Sequence, residues 1–72
     1  MNTEIFSERL RSCRVLRGMS QAELARRADL TQPMISQYEA GRTVQGVTAG
    51  TVLKLAKELG VTASWLLGED TT

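Results

Sequence analysis

The sequence predicts an all-α protein, a compact domain of five short helices. Apolar residues recur at the three- and four-residue spacing of a helix along most of the chain. Serine and threonine residues stand where helices would begin, and glycines follow the points where helices would end. With 72 residues and a single cysteine, the chain allows one domain with a minimal core and no internal disulfide bond. We therefore expect residues 1–72 to form one domain.

The first helix is expected over residues 3–17 and is followed by Gly18, which can end it. At 100° per residue its apolar side chains gather on one side. A cysteine that lies on this side is expected to be a small core residue. The inner stripe is expected to comprise Phe6, Leu10 and Cys13, flanked by Ile5 and Leu16.

Two further helices, over residues 20–28 and 32–39, are expected to be joined by a tight turn. Ser20 can cap the first of them, and a glutamate three positions later completes a capping box. The helical pattern then breaks, because Asp29 is compatible with the left-handed backbone of a tight turn and Thr31 can cap the next helix.

The second helix of this pair carries uncharged polar side chains on one face. A merely solvated helix face usually carries lysine and glutamate, whereas amide and hydroxyl groups both donate and accept hydrogen bonds. The edges of nucleic-acid bases offer both kinds of partner. The helix alone is equally consistent with a base-reading surface and with an ordinary polar surface. The polar face comprises Gln32, Pro33, Ser36 and Gln37, opposite an apolar side with Met34, Ile35 and Tyr38.

The last two helices are expected over residues 49–59 and 63–67. The longer of the two is the clearest amphipathic segment of the chain. Gly60 can end it, and Thr62 can cap the final short helix. The core face of the longer helix is expected to comprise Val52, Leu53, Leu55, Ala56 and Leu59, and Trp65, Leu66 and Leu67 are expected to close the core.

The charge balance gives weak information about a partner. Nine lysines and arginines against eight acids give a net charge of +1, which is low for a nucleic-acid-binding domain. The distribution is more informative, because residues 1–42 hold seven arginines and five acids, whereas residues 43–72 hold two lysines and three acids. The basic half contains the two helices joined by the tight turn, as expected if that half meets phosphate groups.

An enzyme is not expected from this composition. The chain has no histidine, no paired carboxylates and no phosphate-cradling glycine loop, so we expect no metal, no cofactor and no small-molecule ligand. The N-terminal residues lack the basic and apolar regions of a secretion signal, and the longest apolar run near the C-terminus has three residues. We therefore expect a cytoplasmic protein without a membrane partner.

Two groups of motifs carry a family resemblance. Residues 21–42 contain Gln21-x-x-Leu24-Ala25, a short turn, and Ile35-Ser36-x-Tyr38-Glu39-x-Gly41-Arg42. Towards the C-terminus follow Glu58-Leu59-Gly60-Val61-Thr62 and Ser64-Trp65-Leu66-Leu67. This ordered set, which covers nearly the whole chain, resembles the phage-repressor and Cro class of helix-turn-helix DNA-binding proteins, often called XRE-like. The resemblance implies a repressor-like domain that binds double-stranded operator DNA.

The resemblance also implies base contacts. In the family the polar face of the second helix of the motif lies in the major groove of DNA. Glutamine can hydrogen-bond two atoms of adenine at once, so the two glutamines of this face favour A·T pairs. The base-contact residues are expected to be Gln32, Pro33, Ser36 and Gln37.

Contacts with DNA phosphates and one ion pair are implied by the same resemblance. Arg14 and Glu39 are expected to form a partly buried ion pair that fixes the recognition helix and leaves guanidinium donors for a phosphate. Two independent surface charges are the alternative. The phosphate-contact residues are expected to be Arg14, Gln21, Arg42, Thr43 and Gln45.

Two residues depart from the family pattern. Asp29 stands where a glycine is common in the turn, and an aspartate tolerates that backbone less well than a glycine. Pro33 stands where a polar contact residue is common and offers only apolar contact, for example with a thymine methyl group. Pro33 also biases Gln32 away from helical angles, so the helix can begin one residue later than residue 32.

The function implied is a sequence-specific transcriptional regulator, expected to be a repressor that binds a two-fold-related operator as a homodimer. Val44 and Val47 are candidates for a dimer contact. The alternative is a protein-interaction module such as an antitoxin or an adaptor, and the near-neutral net charge favours this alternative slightly.

Overall fold

The computed structural model describes residues 3–42 and 47–69. These residues form five helices, numbered α1 (Thr3–Leu16), α2 (Gln21–Arg27), α3 (Gln32–Glu39), α4 (Ala49–Leu59) and α5 (Ala63–Leu67). The predicted all-α fold is confirmed. Relative to the predicted bounds, α1 ends one residue earlier and α2 is one residue shorter at each end.

Each helix after α1 begins at a serine or threonine N-cap. The hydroxyl oxygen accepts a hydrogen bond from the backbone N–H three residues later, at 3.0 to 3.3 Å. This bond satisfies one of the backbone donors that the first turn leaves unpaired. Pro33 lies in the first turn of α3, and the helix begins at Gln32 and not one residue later. The N-caps are Ser20, Thr31, Thr48 and Thr62.

All five helices end in the same local motif. The first or second residue after each helix adopts a left-handed backbone. The backbone N–H of the residue that follows it donates to the carbonyl five positions before that donor, at 2.8 to 3.1 Å. The left-handed residue is a glycine at the end of four helices. At the end of α2 it is Asp29, with a φ of 59°. The left-handed turn at Asp29 separates α2 from α3.

The helices pack around one apolar core. The rings of Phe6 and Tyr38 meet edge to face with their centroids 6.2 Å apart, which joins α1 to α3. Cys13 is buried, as predicted, and its burial raises the pKa of the thiol above its ordinary value. The largest fully buried side chains are Phe6, Leu10, Leu24, Ile35, Leu55, Leu59 and Leu66.

Polar contacts of Ser7 and Arg9 tie α1 to the end of α3 and to α5. Ser7 is a buried polar residue that the sequence pattern does not predict, and its hydroxyl donates to the Tyr38 carbonyl at 2.7 Å. Arg9 lies over the Trp65 ring, 4.4 Å from its centroid, and also donates to the Trp65 carbonyl. One side of the half-buried Trp65 therefore packs against the core, and the Arg9 guanidinium lies over its ring.

One predicted core position, Leu53, is wrong, and Leu16, predicted to flank the core, is exposed. Leu53 is 60% exposed, because the side of α4 that packs on other helices is only about 100° wide and Leu53 lies beyond its edge. Leu16 is 85% exposed. It shares a flank of α1 with Ile5, which packs against Gly68 at the end of α5, but Leu16 lies three turns further along, at the last residue of α1.

Candidate nucleic-acid interface

The polar face of α3 points away from the core. On the opposite side Ile35 is fully buried and Tyr38 is 6% exposed, and these two residues fix how α3 is rotated. Gln32, Pro33 and Gln37 are exposed, and Ser36 is half-buried. The four residues predicted to contact bases therefore lie together on the outer surface of one helix.

An ion pair ties this helix to α1. The Arg14 guanidinium faces the Glu39 carboxylate, with Nε to Oε2 at 2.6 Å and Nη2 to Oε1 at 3.0 Å. The two side chains are 13% and 5% exposed. The hydrogen bonds that Arg14 donates to Glu39 raise the pKa of Arg14 above its ordinary value. The ion pair implied by the resemblance is therefore present, with the two-point geometry in which arginine binds a carboxylate best.

Arg14 makes a third hydrogen bond inside the protein. Its Nη1 donates to the Met19 carbonyl at 2.7 Å. A guanidinium carries five N–H groups, so three of them have partners within the chain. Arg14 therefore holds the end of α1, the start of the α2 segment and the end of α3 together, and little of it faces solvent.

A chain of side-chain hydrogen bonds runs from the ion pair to the first residue of α3. The Gln21 amide nitrogen donates to Glu39 Oε1 at 3.1 Å, and the Gln21 amide oxygen accepts from the Gln32 amide nitrogen at 2.8 Å. These bonds hold both glutamines in one orientation. Gln21 keeps one amide N–H, and Gln32 keeps an N–H and its carbonyl oxygen, for other partners.

The remaining predicted phosphate contacts lie at and beyond the end of α3. Arg42 is exposed, and its backbone N–H donates to the Gln37 carbonyl at 2.8 Å, so its position is fixed relative to α3. Thr43, Gln45 and the candidate dimer residue Val44 lie outside the described residues. Val47, the other candidate dimer residue, is half-buried and packs against the core.

One cation beside this surface was missed by the sequence analysis. Arg11 is exposed and lies near Arg14, Gln21 and Ser36, on the same side of the molecule as the polar face of α3. The signal in the sequence is its position one helical turn before Arg14, on the same part of α1.

Over 3–42 and 47–69, no three histidine, cysteine, aspartate or glutamate side chains converge as a metal site would require. None of the helices formed by these residues has the length and apolar character needed to cross a membrane.

The sequence profile of the helix-turn-helix family matches residues 10–66. Over 63 residues the chain is 35% identical to the SPbeta prophage-derived uncharacterized HTH-type transcriptional regulator YonR of Bacillus subtilis (strain 168). The match covers 88% of this chain and 56% of YonR. The chain thus spans little more than half the length of that relative.

Two solved structures share the fold. The crystal structure of the hypothetical transcription factor NHTF from Neisseria superposes with a TM-score of 0.82 at 34% identity, over 90% of this chain and 72% of NHTF. The nuclear magnetic resonance structure of the DNA-binding domain of the P22 c2 repressor superposes with a TM-score of 0.82 at 30% identity, over 100% of this chain and 92% of that domain. The chain therefore belongs to the helix-turn-helix family of DNA-binding proteins, and its fold is that of a repressor DNA-binding domain.

Proposed function

We propose that this chain binds double-stranded DNA sequence-specifically and represses transcription from the operators that it occupies. The observation that carries the proposal is the outer face of α3, where uncharged hydrogen-bonding groups stand on a helix fixed to the core by a nearly buried ion pair. An α-helix fits the major groove, and a helix held rigidly presents its side chains to bases in one register. Family membership and the likeness to a repressor domain support the same conclusion.

Base reading is assigned to four side chains of α3. Gln37 and Gln32 contact adenine, and each good two-point contact is worth about 1–3 kcal/mol of discrimination against a wrong base. Gln32 reaches its base while bonded to Gln21, so its amide is oriented before DNA binds. Pro33 offers apolar contact with a thymine methyl group, and the Ser36 hydroxyl bonds either a base or the backbone.

Phosphate contacts are assigned to residues around this face. Gln21 uses its remaining amide N–H, and Arg42 uses its guanidinium, carried by a residue whose backbone N–H is bonded to the end of α3. Thr43 and Gln45 follow in the chain and complete the set. Arg14 contributes to affinity chiefly by holding Glu39 and α3 in place, because three of its N–H groups have partners inside the protein.

The DNA-bound form is proposed to be a homodimer on a two-fold-related operator. A single short helix reads too few base pairs to select one site in a genome, and two copies double the number of contacts. Two helix-turn-helix units in a dimer contact half-sites that lie about 34–36 Å apart, one turn of DNA.

A protein-interaction module such as an antitoxin or adaptor is the second candidate function. The net charge of +1 and the exposed apolar side chains Val15, Leu16 and Leu53 favour it. Salt dependence separates the two functions, because specific DNA binding releases counterions from phosphates and weakens steeply as salt increases.

Selection of bound duplexes from a random DNA pool tests the proposal, with the enriched sequences titrated again at two salt concentrations. We expect an enriched inverted repeat whose affinity falls steeply with salt. Enrichment of a single half-site would contradict the homodimer and leave base reading intact. A folded protein that enriches no sequence would contradict the proposed function and favour a protein partner.

A further inference from the structure

A shallow polar recess lies where α1, α2 and α3 meet. It adjoins the outer face of α3, because one of its walls is Ser36 and another is Gln21. Two of its other walls carry positive charge and one carries negative charge. The residues around it are Arg11, Arg14, Gln21, Ser36, Glu39 and Ala40.

We propose that this recess seats one phosphate of the DNA backbone and that Arg11 is the residue that binds it. The assignment rests on the proposed function, since it names a further contact of the same protein–DNA interface. It concerns a residue to which neither the family resemblance nor the α3 face assigns a role.

The charges around the recess leave Arg11 as its available cation. Glu39 is paired with Arg14 in two-point geometry, so these two charges offset each other. The Arg11 side chain makes no hydrogen bond or ion pair with any of the residues that the structure describes, and it is exposed. One net positive charge therefore faces the recess, which suits the single negative charge of a backbone phosphate.

The shape of the recess also suits a phosphate. Its wall at the end of α3 includes two small side chains, Ser36 and Ala40, beside the Glu39 carboxylate that is already paired with Arg14. The Ser36 hydroxyl and the free amide N–H of Gln21 can donate to the same anion. A guanidinium offers a fork of donors that matches two phosphate oxygens. These groups would hold the backbone strand that borders the groove read by α3.

The test compares Arg11→Ala with Lys57→Ala on an enriched operator duplex and on a scrambled duplex. Lys57→Ala removes the same charge from the last turn of α4, a helix that contributes nothing to the recess. Arg11 has no partner to lose within the described residues, so Arg11→Ala should fold like the wild type, which circular dichroism and thermal unfolding would check.

We expect Arg11→Ala to weaken binding by a similar factor on both duplexes and to lower the slope of log affinity against log salt by about one. When salt is raised from about 50 to about 200 mM, the affinity of the variant should fall by a factor about threefold smaller than the factor for the wild type. Arg11→Lys should keep the wild-type slope because it keeps the charge, and it should bind more weakly because it lacks the forked donors.

An Arg11→Ala protein that matches Lys57→Ala in affinity and in salt slope would overturn the assignment while wild-type operator binding still upheld the proposed function. A loss confined to the operator duplex would also overturn it, since a loss that depends on sequence is the signature of base reading. If the wild-type chain bound neither duplex, the proposed function and this assignment would both fail.

Discussion

Glu39 is the side chain at which the core and the proposed DNA surface meet. One carboxylate oxygen accepts from Arg14 Nε, and the other accepts from both Arg14 Nη2 and the Gln21 amide. Through Gln21 the same network reaches Gln32, a proposed base contact. A single acid therefore contributes to holding α3 against α1 and is linked to the orientation of one proposed base contact.

We predict that Glu39→Ala lowers the free energy of unfolding by about 3 kcal/mol, because it leaves the guanidinium of Arg14, only 13% exposed, without its counter-charge. Urea unfolding of the purified protein measures the loss. The matched control is Glu23→Ala, whose carboxylate lies 3.1 and 3.6 Å from two much more exposed arginines and should cost less than about 1 kcal/mol. Equal losses for the two variants would show that the Arg14–Glu39 pair behaves as a surface pair.

At the scale of elements, the turn between α2 and α3 decides how the recognition helix is presented. Its left-handed residue is Asp29, whereas the other helices end with glycine at this point. The turn is otherwise closed by the backbone hydrogen bond from Leu30 to the Ala25 carbonyl at 2.8 Å. The Asp29 side chain forms no hydrogen bond or ion pair with the described residues, so substitutions at this position report on the backbone alone.

We predict that Asp29→Ala destabilises the protein by about 1 kcal/mol, because alanine tolerates the left-handed backbone less well than aspartate. Asp29→Gly should stay within about 0.5 kcal/mol of the wild type, because relief of the backbone strain offsets the greater flexibility of glycine in the unfolded chain. Thermal unfolding of the three proteins measures both effects. An Asp29→Ala protein as stable as the wild type would mean that this backbone conformation carries no strain.

Local chemistry explains why the helix bounds were predictable from the sequence. Each helix after α1 is preceded by a side-chain hydroxyl and followed by a left-handed residue, and both act on backbone groups only a few residues away. Thr31 therefore marks the start of α3, and Gly60 marks the end of α4, without reference to the rest of the chain. The polar face of α3 follows in the same way from the positions of its apolar residues.

Features that depend on how the helices pack on one another were not predictable in this way. The periodicity of α4 places Leu53 beside its apolar face, and only the packing of the neighbouring helices leaves it exposed. The link from Gln21 to Gln32 and the place of Arg11 beside Ser36 require the relative positions of two or three helices. The Arg14–Glu39 pair joins residues 25 positions apart, and the family resemblance, not the spacing, implied it.

At the scale of the whole molecule, one surface collects the groups proposed to meet DNA. The polar face of α3, Arg42 after its last turn and Arg11 on α1 lie outside a core that buries Ile35 and Tyr38 beneath them. A net charge of +1 is compatible with the proposed role, because Arg11 and Arg42 lie beside the polar face of α3. In the proposed function, sequence selectivity comes from the uncharged groups of α3, since phosphate contacts carry no direct sequence information.

The most direct measurement of that selectivity is the affinity of wild-type, Gln37→Ala and Arg42→Ala proteins for an enriched operator and for duplexes changed at one base pair each. The proposed function predicts that Gln37→Ala loses about 5- to 150-fold in affinity on the operator and much less on the duplex changed at the base pair that Gln37 reads. Arg42→Ala should lose the same factor on every duplex. Equal losses for Gln37→Ala on the operator and on every changed duplex would contradict base reading by α3.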